Sequence, residues 1–155
     1  MTIAVVRVRG TLRIKPDIKE TLKLLRLNRV NHCVVIPETP EFIGMLMKAK
    51  DYITWGEVEA DTMELLLKER SEFDGAGRLS DPVVKKNTDF KDLKGLAVAV
   101  SEGTFDHRKI EGMNPVFRLH PPRKGGYEGI KRSYKVGGAL GYRGKDINKL
   151  LLKMI

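Results

Sequence analysis

Five short stretches decide the fold: IAVVRV (Ile3–Val8), PDIKETLKLLRLN (Pro16–Asn28), HCVVI (His32–Ile36), TPEFIGMLMK (Thr39–Lys48) and YITWGEV (Tyr52–Val58). The first, third and fifth are apolar and β-branched over five to seven residues, which suits strands. The first stops at Gly10, and the third ends at Pro37. In the second, Pro16 occupies a first helical position after the loop Thr11–Lys15, and Ile18, Leu22 and Leu25 recur with a helical period up to Asn28. In the fourth, Thr39 and Pro40 form an N-cap and N1 pair ahead of Phe42, Ile43, Leu46 and Met47. Residues 1–58 therefore spell strand, helix, strand, helix, strand. Such alternation implies βαβ connections, and with three strands the helices must share one face of a small open sheet. The expected fold class is α+β, a ferredoxin-like three-stranded core over 1–58.

Outward from this core, residues 59–155 form an extension. Asp61 with Glu64 predicts a capped start for a helix running through Leu65–Leu67 toward Arg70, followed by a turn over Asp74–Gly77. Further short helices are predicted over Asp81–Asn87 and Leu93–Ser101, and Val116–His120 alternates like a strand until Pro121 and Pro122 end it. The basic, glycine-rich run over 116–145 carries no helical period and reads as a long loop or hairpin. Ile147, Leu150, Leu151 and Met154 then keep helical spacing, predicting an amphipathic helix docked on the core.

The chain has 155 residues, with 29 Lys and Arg against 20 Asp and Glu, a formal net charge of +9. That surplus points to a polyanionic partner, and 41% hydrophobic residues place it on a folded protein rather than a disordered polycation. The excess is uneven: residues 1–58 carry a net of +4, residues 59–100 a net of −2, and residues 101–155 a net of +7. A single cysteine permits no internal disulfide and fits a reducing compartment. The longest aliphatic run, Leu96–Val100, is far too short for a membrane span, and MTIAVVRVRG is charged too early for a signal peptide.

Catalytic chemistry finds little support. His32, His107 and His120 are scattered, without a zinc-ligand spacing, so no metal and no cofactor is expected. His32 and Cys33 are neighbours on a strand and point to opposite faces, and Cys33 reads as a buried core thiol. Ser71, Ser80, Ser101 and Ser133 lack a nucleophile-elbow context. The loop Arg7–Arg13 lacks the glycine spacing of a nucleotide fingerprint, although a basic loop before a helix suits a backbone phosphate. Two alternatives stay open on fold analogy: a small phosphatase using Arg13 and an asparagine, and a ligand-sensing module that dimerises through its sheet.

The informative segment is FRLHPPRKGGYEGIKRSYKVGGALGYRG, Phe117–Gly144. Within Val116–Lys145 stand eight cations, one acid (Glu128) and seven glycines. Arg118, Arg123, Lys124, Lys131, Arg132, Lys135, Arg143 and Lys145 are strung along a bendable chain suited to phosphates, with Tyr127, Tyr134 and Tyr142 between them for stacking on bases or packing on ribose. A segment this long and acid-poor is expected to be mobile until a partner orders it. No major-groove DNA-reading motif is present, which leaves folded RNA, recognised by shape, as the favoured partner.

The opening strand with Arg7–Gly10, the run from Asp17 to Val58 containing NHCVVIPETPEFIGM, and the later RLHPPRKGGYEGIK (Arg118–Lys131) together resemble the large-subunit ribosomal protein L-thirty family, called L-seven in eukaryotes. The resemblance spans essentially the whole chain. Bacterial members are little more than the first core, archaeal members carry the extension, and eukaryotic members add a basic N-terminal arm; the pattern here implies the archaeal type. The resemblance implies a non-enzymatic, cytoplasmic role in the large subunit: binding its large ribosomal RNA, lying near 5S ribosomal RNA, touching neighbouring ribosomal proteins and holding adjacent RNA domains in place. No DNA or membrane partner is implied. Carried onto this chain, RNA contacts fall on Arg7, Arg9, Arg13, Lys15, Arg29, Asn31 and His32 in the core. In the extension they fall on Arg118, His120, Arg123, Lys124, Tyr127, Lys131, Arg132, Lys135 and Arg143. For Arg7 and Arg9 the competing reading is a pair of exposed strand residues; for His120 it is a local hydrogen bond fixing the Pro121 turn.

Overall fold

The computed structural model describes residues 1–74 and 77–155, so the turn expected over Asp74–Gly77 lies partly outside the described residues. The strands are β1 (Thr2–Arg7), β2 (His32–Pro37), β3 (Ile53–Glu57), β4 (Val116–Arg118) and β5 (Gly141–Tyr142). They form one mixed sheet in the order β4-β2-β1-β3-β5. β1 is antiparallel to both neighbours, with Val5 opposite Val34 on one side and Trp55 on the other. β2 and β3 therefore run the same way, and helix α2 (Pro40–Lys48) crosses over β1 to join them. The fold is the expected ferredoxin-like α+β type, with one βαβ crossover rather than two. Its sheet is widened by two edge strands from the extension.

Period-two alternation assigns the two faces. Ile3, Val5, Val34, Ile36, Ile53 and Trp55 are buried under α1 (Pro16–Leu24) and α2, against Leu22, Leu25, Leu27 and Leu46. Helix α1 stops four residues short of the expected Asn28. Arg26 adopts a left-handed φ of 61°, and the Leu27 amide returns to the Leu22 carbonyl at 2.9 Å, a helix-ending loop usually made by glycine. In α2, Thr39 caps as expected, its hydroxyl accepting from the Phe42 amide at 3.4 Å.

The opposite face presents Ala4, Val6, Cys33 and Val35. It is covered by α3 (Ala60–Arg70), α5 (Leu93–Glu102) and α6 (Ile147–Met154), with α4 (Asp81–Asn87) packed into the same cluster through Val84. Met63, Leu66, Leu96, Val100, Phe117, Ile147 and Leu151 are almost fully excluded from water there. At about 1.5–3 kcal/mol per large apolar side chain, this burial is what holds the extension on the sheet. Helix α3 starts at Ala60 without the expected Asp61 cap. Its Glu59 amide instead donates to Asn148 Oδ1 of α6 at 2.9 Å, while Asn148 Nδ2 donates to the Glu57 and Lys145 carbonyls. Among the described residues no helix is long and apolar enough to cross a membrane.

Candidate nucleic-acid interface

One end of the sheet collects the chain segments that the sequence marks as cationic. β1 leaves the sheet there through Arg7, Val8 and Arg9; β2 enters from Arg29, Asn31 and His32; β4 leaves through Arg118, which lies opposite His32. The turn is tied by backbone: the Asn31 amide donates to the Arg7 carbonyl at 2.9 Å, and the Leu119 amide to the Asn31 carbonyl at 3.2 Å. After β4 the chain runs beside the end of α6, with the His120 amide on the Met154 carbonyl and the Arg123 amide on the Lys153 carbonyl.

The basic ribbon then folds back to the same end. The Tyr127 hydroxyl donates to Asn31 Oδ1 at 2.8 Å, and Ala139 and Leu140 pack on Val8. Where a long loop or hairpin was expected, the ribbon has defined structure. Tyr134–Val136 forms a 3-10 turn, the Tyr134 amide donates to the Leu140 carbonyl at 2.7 Å, and β5 adds to β3. Two glycines make this possible. A Cβ on Gly138 would lie 2.0 Å from the Arg132 carbonyl oxygen, and one on Gly56 would lie 1.9 Å from the Gly144 carbonyl oxygen.

The candidate residues separate by exposure. Arg13, Lys15, Arg29, Arg118, Arg123, Lys124, Lys131, Arg132 and Lys135 are exposed. Arg118 makes only a loose, exposed pair with Glu72 at 3.7 Å. Arg13 and Lys124 hold φ of 55°, unusual for side-chain-bearing residues, and Gly125 and Gly126 continue the left-handed run. Arg9 is half-buried with its guanidinium 5.1 Å over the Tyr52 ring.

Others point inward. Arg7 is 2% exposed, so the exposed-strand reading fails for it: its Nη1 donates to the Leu27 carbonyl at 2.6 Å and its Nε to the Arg9 carbonyl at 2.9 Å. Burial lowers its pKa, an effect of removing the guanidinium from water. The half-buried Arg143 donates to Thr54 Oγ1 and the Ala139 carbonyl and stacks 4.7 Å from the Tyr134 ring centre. Tyr127 is half-buried, and burial raises its phenol pKa, keeping the hydroxyl a donor. His32 is pushed toward the neutral form by burial and then by Arg118, Arg29 and Arg7. His120 makes the local contact foreseen as its alternative, Nδ1 to the Pro121 carbonyl oxygen at 2.6 Å. Cys33 is fully buried, its thiol pKa raised to about 12 by desolvation, which matches a core thiol.

Sequence reasoning did not foresee the inward roles of Arg7, Arg143 and Tyr127. The signal for Arg7 was present in the alternation, since Arg7 shares a strand face with Ile3 and Val5. For Arg143 and Tyr127 no local pattern distinguishes them from the exposed cations and tyrosine beside them. Among the described residues, no group of three or more His, Cys, Asp or Glu side chains is placed to hold a metal.

The profile of the family described as Ribosomal protein L30p/L7e matches residues 3–53, from β1 to the start of β3. Among curated relatives, the large ribosomal subunit protein uL30 of Methanosphaera stadtmanae is 53% identical over 98% of this chain and 99% of its own length. The proteins of the same name from Methanoculleus marisnigri (48% identical, 97% of this chain, 98% of its own) and Thermoplasma volcanium (50%, 99% and 92%) match as extensively. These relatives are archaeal and are named as ribosomal proteins, not as enzymes. The matches take in β1–β3 and the basic ribbon alike, and the chain belongs to the uL30 (L30p/L7e) family of ribosomal proteins, in its archaeal form.

Proposed function

We propose that this chain is a structural component of the large ribosomal subunit that binds large-subunit ribosomal RNA through the cationic end of its sheet, lies near 5S ribosomal RNA, and holds adjacent RNA domains in register. The observation that carries this reading is the convergence of Arg29 and Arg118 on the strand ends with the ribbon anchored at Asn31 and Val8. Two segments distant in sequence thus present one array of exposed guanidinium and ammonium groups. Such an array neutralises closely spaced phosphates and releases their counterions, and its fixed outline selects folded RNA by shape. Arg13, Lys15 and Arg29 serve the core side, and Arg123, Lys124, Lys131, Arg132 and Lys135 the ribbon side. Residues 1–58 form the RNA-binding core, and residues 59–155 brace its second face and present the ribbon. Neighbouring ribosomal proteins are the remaining partners.

The test is binding to in-vitro transcribed large-subunit ribosomal RNA over a salt series. Replacing Arg123, Lys124, Lys131 and Arg132 together with Gln is expected to weaken binding and flatten the log–log salt slope by about 0.7–0.9 for each phosphate that is no longer neutralised. An unchanged slope removes the ribbon from the interface. Cross-linking of assembled subunits at Lys135 and Arg13 decides the 5S contact.

A further inference from the structure

We infer that Tyr127 and Asn31 form a positioning latch, a single side-chain hydrogen bond that sets the ribbon against the strand ends so that both halves of the cationic surface meet RNA in one fixed arrangement. This deepens the proposed RNA-binding function and rests on it. Asn31 is a junction. Its backbone amide is bound to the Arg7 carbonyl and its backbone carbonyl to the Leu119 amide, and its φ of 67° turns it into the left-handed region that Asn tolerates better than most residues. With both backbone groups so engaged, its side-chain Oδ1 accepts the Tyr127 hydroxyl at 2.8 Å, across 96 positions of sequence.

On the other side of the bond, Tyr127 stands between the two cation pairs of the ribbon, Arg123 and Lys124 before it and Lys131 and Arg132 after it. Its ring packs against both the large core cluster and the small Val8, Ala139 and Leu140 cluster. Met154 Sδ lies 3.6 Å from its hydroxyl. The half-buried hydroxyl is thus engaged inside the protein. Tyr127 acts on RNA through the cations it places, where the sequence alone offered it as a stacking platform.

The latch makes a prediction that a direct contact does not. Tyr127→Phe keeps the ring and every charge but removes the donor; Asn31→Gly keeps the left-handed backbone but removes the acceptor. Each is expected to weaken binding of in-vitro transcribed large-subunit ribosomal RNA by about threefold to tenfold, the size of one net hydrogen bond, with an unchanged salt slope. The double variant is expected to bind no worse than either single one, because both remove the same bond. Wild-type binding with Tyr127→Phe, additive losses in the double variant, or a salt slope reduced by a full phosphate's worth would each overturn the latch.

Hydrogen exchange in the free protein separates this outcome from failure of the RNA reading. Tyr127→Phe is expected to raise exchange at the Arg132, Tyr134 and Ala139 amides while leaving α1 and α2 unchanged. Unchanged exchange at those three amides overturns the latch whether or not the chain binds RNA. Faster exchange in a chain whose wild type ignores the RNA keeps the latch as a structural bond and overturns its role in binding.

Discussion

The three central strands and the basic ribbon are ordered by different means. β1 and β2 are buried on both faces and send alternate apolar side chains into two separate clusters, and β3 adds Ile53 and Trp55 to one of them. The ribbon over 121–145 contributes Ala139 and Leu140 to a small cluster with Val8, against which the half-buried Tyr127 packs. It is held by backbone hydrogen bonds, by inward-facing Tyr127 and Arg143, and by glycines where two backbones come closer than any Cβ allows. The lesson is that a polar, acid-poor segment can be ordered without a core when its anchors belong to a neighbour that has one. Its cations then stay free for a partner.

The contrast is broken most directly in the sheet. Phe117 of β4 is fully buried, and Phe117→Ala is expected to cost about 3–5 kcal/mol in urea unfolding by leaving a cavity beneath α3 and α5. A cost under about 1 kcal/mol would mean that the extension does not depend on this core. In the ribbon, Gly138→Ala forces the Arg132 carbonyl aside and is expected to cost up to about 3 kcal/mol. Hydrogen exchange should place that loss between Gly129 and Leu140 and leave α1 protected; a uniform rise in exchange would instead show ribbon and sheet to be one cooperative unit.

The third test uses pH. His107 is 1% exposed, stacked on Phe117, and burial lowers its pKa from 6.5 to about 4. The unfolded chain therefore binds a proton that the folded chain refuses between those values. Stability is full above pH 6.5 and falls as the pH drops toward 4, by about 2 kcal/mol between pH 7.5 and pH 5. His107→Leu should flatten this dependence, which denaturant titrations at the two pH values would read.

The smallest effect on stability sharpens the comparison most. Lys124→Gly relieves a side-chain-bearing residue at φ 55° while adding chain entropy to the unfolded state, so stability should change by less than about 0.5 kcal/mol. The RNA salt slope should nevertheless fall by about 0.7–0.9 if Lys124 meets a phosphate. An equal slope in both proteins would move the interface off this turn.

The elements were legible because they are local. Alternation in Ile3–Val8 and His32–Ile36, Pro16, the Thr39–Pro40 pair and the spacing of Ile147 to Met154 each express a preference over a few residues; β1, β2, α2 and α6 stand where those preferences put them, and α1 begins at Pro16 although it ends before Asn28. The surplus of cations and its concentration in the C-terminal third were equally plain. Tertiary structure alone decided what depends on distant partners. Residues 59–155 cover the second sheet face, β5 exists because β3 offers an edge, and α3 is capped by Asn148 instead of Asp61. It also sorted the arginines. Arg7 and Arg143 carry the same charge as Arg123 and Arg132, but carbonyls contributed by Leu27 and Ala139 draw the first two inward and leave the others to solvent. A side chain's chemistry is written in the sequence, whereas the groups that meet it, and so whether it supports the protein or faces a partner, are set only when the chain has folded.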